Sequence, residues 1–561
     1  MESLRLVSLV VFCVSLFLLG EKWYTEQTAK TPPAVTQAGP SMGAVPGDVP
    51  QASSTLAGET KTAAPVARAT DTALPASSVS AATEVVKMET DLMQIEISLL
   101  GGDVRKTVLL KHGDTLDPSK PFVLLETGGE HTYVAQSGLL GAGMPNHKTS
   151  FTATVKEVKL ADGQDEVSIE LSSPPTDAGV VLTKRYTVRR GEYVIRTTQR
   201  ISGLAASAAP PAAYFQLVRD DKDPAGGSRW VPTYTGVAVY THADKYQKVG
   251  FSDIAKGKAS HSKAADDGWI GVVQHYFVSA WFPETGAKRE FFTRSLDGGL
   301  FAAGLITTAK ATANGVWEVS VPLYAGPQEQ KKLEALAEGL QLTVDYGWLT
   351  VIATPLFWLL SNIHTWLVQN WGVTIILLTV LIKGLFFPLS AASYKSMAKM
   401  RVMAPKLQKL KEIHGDDRQK LHQAMMELYK TEKINPLGGC LPIVIQIPVF
   451  ISLYWVLLGS VEMRQAPFAL WIKDLSAPDP FYILPVLMGI SMIIQSRLNP
   501  EPPDPIQAKV MKIMPVAFSV FFFFFPAGLV LYWLVNNILS IGQQWYITRQ
   551  LEQSGLGAQK R

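Results

Sequence analysis

The sequence predicts a polytopic α-helical membrane protein with six transmembrane helices, a large β-sandwich domain on the outer side and a helical hairpin on the cytoplasmic side. Three observations carry that expectation. Hydrophobic residues make up 47% of the 561 positions against 18% charged, and the apolar ones are gathered into blocks. Between residues 85 and 326 the pattern changes to short runs that alternate with period two, which predicts half-buried strands. Lysine and arginine are concentrated in some interhelical segments and nearly missing from others, which fixes an orientation.

The elements follow in chain order. Leu4 to Leu19 is an apolar run followed by Gly20, Glu21, Lys22, Trp23 and Tyr24. No small-residue cleavage site follows it, and Trp23 and Tyr24 suit a membrane interface, so residues 1–24 are expected to be an uncleaved anchor. Residues 25–84 are rich in Ala, Pro, Ser and Thr and poor in aromatics; they cannot bury a core and are expected to be a disordered linker. Residues 85–326 form the sandwich domain, with "FTATVKEVKL", "EVSIELSS" and "KRYTVRRGEYVIRTTQRI" as strands and "ADGQD" and "RRGEY" as hairpin turns. Residues 327–370 hold an amphipathic helix, "PQEQKKLEALAEGLQ", and then a Trp-rich apolar helix interrupted by Pro355, Asn362, His364 and Gln369, expected to lie along the membrane surface.

Residues 371–547 carry five spans, at about Trp371–Leu389, Leu437–Leu458, Phe481–Ser496, Val510–Phe525 and Ala527–Ile547, and residues 548–561 form a tail. Between the first two spans, residues 393–435 are charged, helical and Met-rich. Gly415 suits the end of one helix there, and Asp416 and Asp417 the start of the next. This hairpin carries Lys395, Lys399, Arg401, Lys406, Lys409, Lys411, Arg418, Lys420, Lys430 and Lys433, whereas residues 459–480 carry only Arg464 and Lys473. The hairpin, the tail and the N-terminus are therefore expected inside and the β-domain outside.

Enzyme signatures are missing: there is no HExxH, no phosphate-binding loop and no dinucleotide fingerprint. Ser396 and Lys399 share the spacing of a Ser/Lys nucleophile pair, but on a basic helix with no predicted pocket. The two cysteines, Cys13 and Cys440, lie in apolar segments and suggest neither a disulfide framework nor a metal site. No cofactor, metal or catalytic group is expected.

One charge stands out. Lys383 lies inside "TVLIKGLFFP", and an ammonium at a helix centre costs about 2.5 to 3.5 kcal/mol to insert. It sits six residues, or about 9 Å, from the expected end of its span, so its stem could snorkel to the interface. Its surroundings favour another role. Thr379 lies one turn away on the same face, and other spans carry Gln446, Gln495, Tyr532, Trp533, Asn536 and Asn537. None of the five spans contains Asp or Glu. A cation without a carboxylate must be hydrated, so a water-filled cavity is expected around it.

"MAKMRVMAPKLQKLKE", "YKTEKINPLGGCLPIVIQIPVF", "GSVEMRQAPFALWIKDLSAPDPFYILPVLMG" and "FPAGLVLYWLVNN" closely resemble the Gram-negative YidC branch of the YidC/Oxa/Alb family of membrane protein insertases. The resemblance implies a five-helix insertase core around a hydrophilic groove open to cytoplasm and lipid, and a periplasmic β-supersandwich. It places Lys383 where the family usually has arginine, Thr379 and Gln446 at groove positions, and Trp533 where close relatives have tyrosine. Tyr532 and Asn536 complete the expected groove, and Met400, Met403 and Met425 of the hairpin are expected to contact substrate. The implied activity is insertion, folding and assembly of nascent inner-membrane proteins, by a monomer, alone or with the Sec translocon, with transient ribosome contact and with membrane lipids as surroundings. The alternatives are a secondary solute transporter using Lys383 as an anion site, or a membrane-tethered periplasmic carbohydrate-active protein.

Overall fold

The computed structural model describes residues 49–50 and 84–553, except 130, 206, 225–232, 416, 432–440 and 499–504. The anchor expected over 1–24, almost all of the linker over 25–84 and the end of the tail lie outside the described residues. The chain divides into two compact units, with the boundary between Val344 and Asp345.

The first unit contains the β-domain: twenty described strands between Val85 and Pro327 form two ten-stranded sheets. Sheet I runs from Ala264–Ala265 through Arg289–Leu296, Leu300–Thr308, Ala212–Asp220, Tyr133–Leu139, Val104–Gly113, Met93–Ser98 and Val85–Glu89 to Glu157–Lys159. Sheet II has Trp317–Pro327 near its middle, between Phe277–Trp281 and Val194–Ser202. The sheets face each other through residues such as Phe215 and Trp281, whose rings lie 5.2 Å apart, and the alternation of buried and open positions in Val181–Arg189 matches its period-two sequence.

"RRGEY" is a hairpin turn, joining the paired strands Val181–Arg189 and Val194–Ser202, with Gly191 at φ 74°. "ADGQD" is not. The strand before it, Glu157–Lys159, pairs in parallel with Val85–Glu89 in sheet I, while Glu166–Ser172 after it belongs to sheet II. The turn carries the chain from one sheet to the other. "FTATVKEVKL" is likewise split, into Thr152–Ala153 in sheet II and Glu157–Lys159 in sheet I.

Between the sheets Lys184 is fully buried and donates to the carbonyls of Gly101 and Ser137, each at 2.6 Å. Asp103 is also buried and accepts from Gln136 Nε2 at 2.8 Å. Burial raises the Asp103 carboxyl and lowers the Lys184 ammonium, and the pull of each charge on the other opposes both shifts. Both groups are buried, so they do not supply the open carboxylate constellation that the carbohydrate-active alternative requires.

α1 (Gln330–Leu336) closes this unit and is shorter than the amphipathic segment expected there; it buries Leu333. Gln328, just before it, donates from Nε2 to the carbonyls of His275 and Phe277.

The second unit is helical: α2 (Thr350–Trp366), α3 (Trp371–Leu385), α4 (Phe387–His414), α5 (Arg418–Thr431), α6 (Leu441–Gly459), α7 (Ile483–Leu498), α8 (Pro505–Phe521) and α9 (Ala527–Gln553). α2 buries Phe357, Leu360 and Ile363 and exposes Trp358 and Trp366. The outward faces of α7 and α8 are also apolar, with Val486, Leu487, Ile490, Ile513, Val516 and Val520 exposed. A surface of that kind is the mark of a membrane or protein contact.

The expected first core span, Trp371–Leu389, is not one straight helix. α3 ends at Leu385, and α4 leaves it at 65°. Pro388 explains the break: it lacks an N–H for the helical ladder and suits the first turn of a new helix, where it stands. No single described helix is long and apolar enough to cross a membrane alone, although α3 with the start of α4 is so when taken together. The hairpin helix begins at Phe387 rather than Ser393 and runs to His414. The helix ends where expected, with Gly415 as its C-cap, and Gly415 does so at right-handed angles, φ −58° and ψ −28°. Asp417 does cap α5, its Oδ1 accepting from the backbone N–H of Gln419 and of Lys420, each at 3.1 Å. Asp416 lies outside the described residues. α9 continues to Gln553, past the expected start of the tail.

Candidate functional groove

The site is built on the inward face of α3. Apolar residues cover most of this helix, and Thr379 and Lys383 fall one turn apart on its buried side, 1% and 6% exposed. The Thr379 hydroxyl donates to the Ile375 carbonyl at 2.7 Å, one turn back on its own helix. Lys383 does not snorkel. Its Nζ donates to Ser540 Oγ of α9 at 2.7 Å, and Ser540 in turn donates to the Asn536 carbonyl at 2.7 Å. Asn536 Oδ1 accepts from Gln446 Nε2 of α6 at 2.6 Å. Lys383, Gln446, Asn536 and Ser540 thus form one polar chain across three helices. No described carboxylate pairs with the ammonium.

Beside this chain lies a small cleft of about 10 Å³, room for about one water rather than the water-filled cavity expected, lined by Ile382, Lys383, Phe386, Leu389, Ser390, Ile445 and Gln446. It lies at the bend between α3 and α4, where Phe386, Leu389 and Ser390 contribute to its lining. Tyr532 is buried and Trp533 half-buried. Both rings meet Phe450, and Trp533 also meets Phe522 at 5.3 Å, so Trp533 stands in an aromatic cluster at the side of the groove.

At the other end of α3 a loop is seated against the helix ends. Asn370 caps α3 by accepting from Val373 N, and its Nδ2 donates to the Phe468 carbonyl at 2.9 Å. A side chain at Gly372 would strike the Phe468 ring, so glycine allows that loop to seat against the helix. Asp479, 1% exposed, accepts from Trp471 Nε1, Phe481 N and Leu484 N, holding the loop over the start of α7. The loop carbonyls of Leu475 and Ala477 accept from Gly528 N and Ala527 N at the start of α9.

Of the residues named from sequence, Lys383 and Gln446 line the cleft and Asn536 joins their polar chain, whereas Thr379, Tyr532 and Trp533 do not line it. Sequence reasoning missed Ser540, Ser390 and Asp479. Asn536, Ser540 and Gln543 recur at helical spacing on α9, a signal that could have found Ser540. Asn537 and Gln544 belong to another face: they donate to Ser491 Oγ and to the Leu498 carbonyl of α7, which makes them structural. Of the hairpin methionines, Met403 is buried, Met425 is half-buried, and the Met400 side chain lies outside what is described. Met403 is thus closed to substrate in this conformation.

Comparison with known proteins assigns both units. The YidC periplasmic domain family matches residues 85–359, and the 60Kd inner membrane protein family matches residues 362–554. Proteins named membrane protein insertase YidC are 52% identical in Nitrosospira multiformis (100% of this chain, 99% of the relative), 54% in Methylobacillus flagellatus (99% and 98%) and 53% in Aromatoleum aromaticum (100% and 100%). A crystal structure of an active YidC insertase with its first transmembrane domain resolved covers 83% of this chain and 94% of its own, at 18% identity and a TM-score of 0.40. A galactose mutarotase related enzyme from Lactobacillus acidophilus covers 43% of this chain and 97% of its own, at 8% identity and a TM-score of 0.28, too low to argue for sugar chemistry. These matches define a bacterial inner-membrane protein with a periplasmic β-sandwich domain and a helical C-terminal part. The chain belongs to the YidC family of membrane protein insertases.

Proposed function

We propose that this chain inserts proteins into the bacterial inner membrane and helps them fold and assemble, using the groove at Lys383 and no covalent chemistry. The observation that carries the reading is the Lys383 ammonium, drawn onto Ser540 inside the helical body beside a small cleft. An incoming apolar segment gains free energy in lipid unaided. The barrier is its polar flank, which must cross a medium of low dielectric constant. A groove that is wet and cationic shortens that path and attracts an acidic flank. The loop seated at Asp479 keeps the path from becoming a pore.

Six transmembrane helices fit this role, with both termini and the hairpin cytoplasmic, because the basic residues cluster in the hairpin and after α7. The domain plan is then anchor 1–24, linker 25–84, sandwich 85–326, interfacial helices 327–370, core 371–547 and tail 548–561. Nascent inner-membrane proteins are the substrates. Thr379, Gln446, Tyr532, Trp533 and Asn536 line their route with Lys383, and Met400 and Met425 meet them at the hairpin. The basic hairpin suits transient contact with ribosomal RNA and anionic lipid, and the chain works as a monomer, alone or beside the Sec translocon.

The test is insertion of a single-span substrate into liposomes containing only this protein, read by protease protection. Insertion well above that of empty liposomes is expected. Equal insertion with and without the protein would overturn the reading.

A further inference from the structure

The outer face of sheet I carries a small apolar trough. Its register aligns Val134 with Val218, Val218 with Ala302 and Ala302 with Arg294, in one row across four strands. The next row is Gln136, Gln216, Gly304 and Phe292. This is the face away from sheet II, since Phe215, the neighbour of Gln216, points toward Trp281. Ala302 and Gly304 keep the middle of the trough low. Val134, Val218 and Ala302 form a buried cluster with Phe292, Leu296 and Leu300 packed around it.

Two residues from the stretch expected to be a featureless linker lie here. Val49 is half-buried and Pro50 is buried. The Val49 carbonyl accepts from Arg294 Nη1 at 3.1 Å. Arg294 is itself set by its neighbours: its guanidinium lies 5.4 Å from the Phe292 ring centre, and Nη2 reaches Gln216 Oε1 at 3.5 Å. Gln216 is tied to Gln136, and Gln136 to Asp103. The arginine is therefore held by a polar chain across the sheet and presents a donor to a backbone carbonyl. Proline at 50 lowers the conformational entropy lost on docking.

We infer that this face of sheet I is a docking site for the chain's own Val49–Pro50, with Arg294 as its clamp. The docking stands apart from the insertase reading. Its consequence for reach rests on the proposed N-terminal anchor: the free stretch between anchor and domain falls from residues 25–84 to residues 25–48. For a coil, reach scales with the square root of length, so it drops to about 0.6 of its undocked value. The linker is then a tether of two settings rather than a passive string.

The test uses the full-length protein in nanodiscs, with Cys13→Ser and Cys440→Ser and a spin label on Asp48→Cys or, as a control, Val35→Cys. A slow-motion component is expected at position 48 and not at 35. Arg294→Gln should reduce its ratio to the fast component about tenfold, the loss expected of one charge-assisted hydrogen bond. Pro50→Gly leaves the sheet untouched and should also reduce it, which separates undocking from misfolding. Equal mobility at 48 and 35, or a slow component that survives both variants, overturns the docking. A slow component that vanishes on dilution overturns docking within one chain and assigns the site to a second copy.

Discussion

Replacing Lys383 with methionine separates what this residue does for stability from what it does for substrates. Holding an ammonium at a helix centre costs about 2.5 to 3.5 kcal/mol, and one hydrogen bond to a charged group returns about 1.5 to 3 kcal/mol. Ser540 keeps its bond to the Asn536 carbonyl when the lysine is gone, so no hydroxyl is orphaned. The terms nearly cancel, and Lys383→Met should leave the melting temperature in detergent within a few degrees of the parent protein. The effect on substrates is larger. A carboxylate about 6 Å from the ammonium is attracted by about 0.7 kcal/mol in a water-like groove and about 2.8 kcal/mol at an effective dielectric constant of 20. Those limits correspond to roughly 3-fold and 100-fold in rate. Insertion of two substrates that differ only in an acidic or a neutral N-terminal tail should be timed in liposomes at low and high salt. The acidic-to-neutral rate ratio should fall at least threefold in Lys383→Met and recover in Lys383→Arg. An unchanged ratio in the methionine variant would refute the electrostatic role, and a collapse of stability would show that the lysine is structural.

Removing residues 85–327 should leave insertion largely intact, whereas a deletion ending at Leu300 should aggregate, because it strands Trp317–Pro327 with both sheet neighbours unpaired; expression and protease protection distinguish these outcomes. Asp479→Ala should lower thermal stability by about 3 to 5 kcal/mol, since three donors lose a buried carboxylate, and Asp479→Asn should cost less. Burial, with Lys263 close by, pushes the His261 imidazole down to about 4. Between that value and the unfolded value of about 6.5 only the unfolded chain holds the proton, so β-domain stability should fall as pH drops through this window. His261→Gln should flatten that slope in thermal melts. Photocrosslinkers at Met425 should capture an arrested nascent chain at shorter lengths than those at Thr379, and Met403 should capture weakly; groove crosslinks appearing first would remove the hairpin's receiving role.

Local chemistry was legible in the sequence and long-range pairing was not. "RRGEY" announces its hairpin because both strands and the turn are contiguous. "ADGQD" has the same turn chemistry, but its preceding strand pairs with Val85–Glu89, some seventy positions earlier. Lys383 and Thr379 could be placed on one face from their spacing alone, and the lack of acidic residues in the spans foretold an ammonium without a carboxylate. Its partner Ser540 lies 157 residues away, and a single serine among apolar residues is a weak mark. The bend at Phe386 had a signal in Pro388 that hydropathy overrides, since the apolar run continues past it. Val49 and Pro50 differ little in composition from the rest of the linker, and only the trough beside Arg294 sets them apart.

The early break of α3 has a consequence for the surrounding lipid. Fifteen residues at 1.5 Å each make a helix of about 22 Å, and sixteen in α7 make about 24 Å, against a hydrocarbon core of about 30 Å. In the six-span arrangement proposed above, tilting would shorten such helices further along the membrane normal, and the mismatch would be met by a bilayer that thins around them. A substrate arriving at α3 and α7 would then meet a narrower slab of oil than elsewhere in the membrane. Lipids with longer acyl chains should resist that deformation and slow insertion even when every residue of the groove is intact.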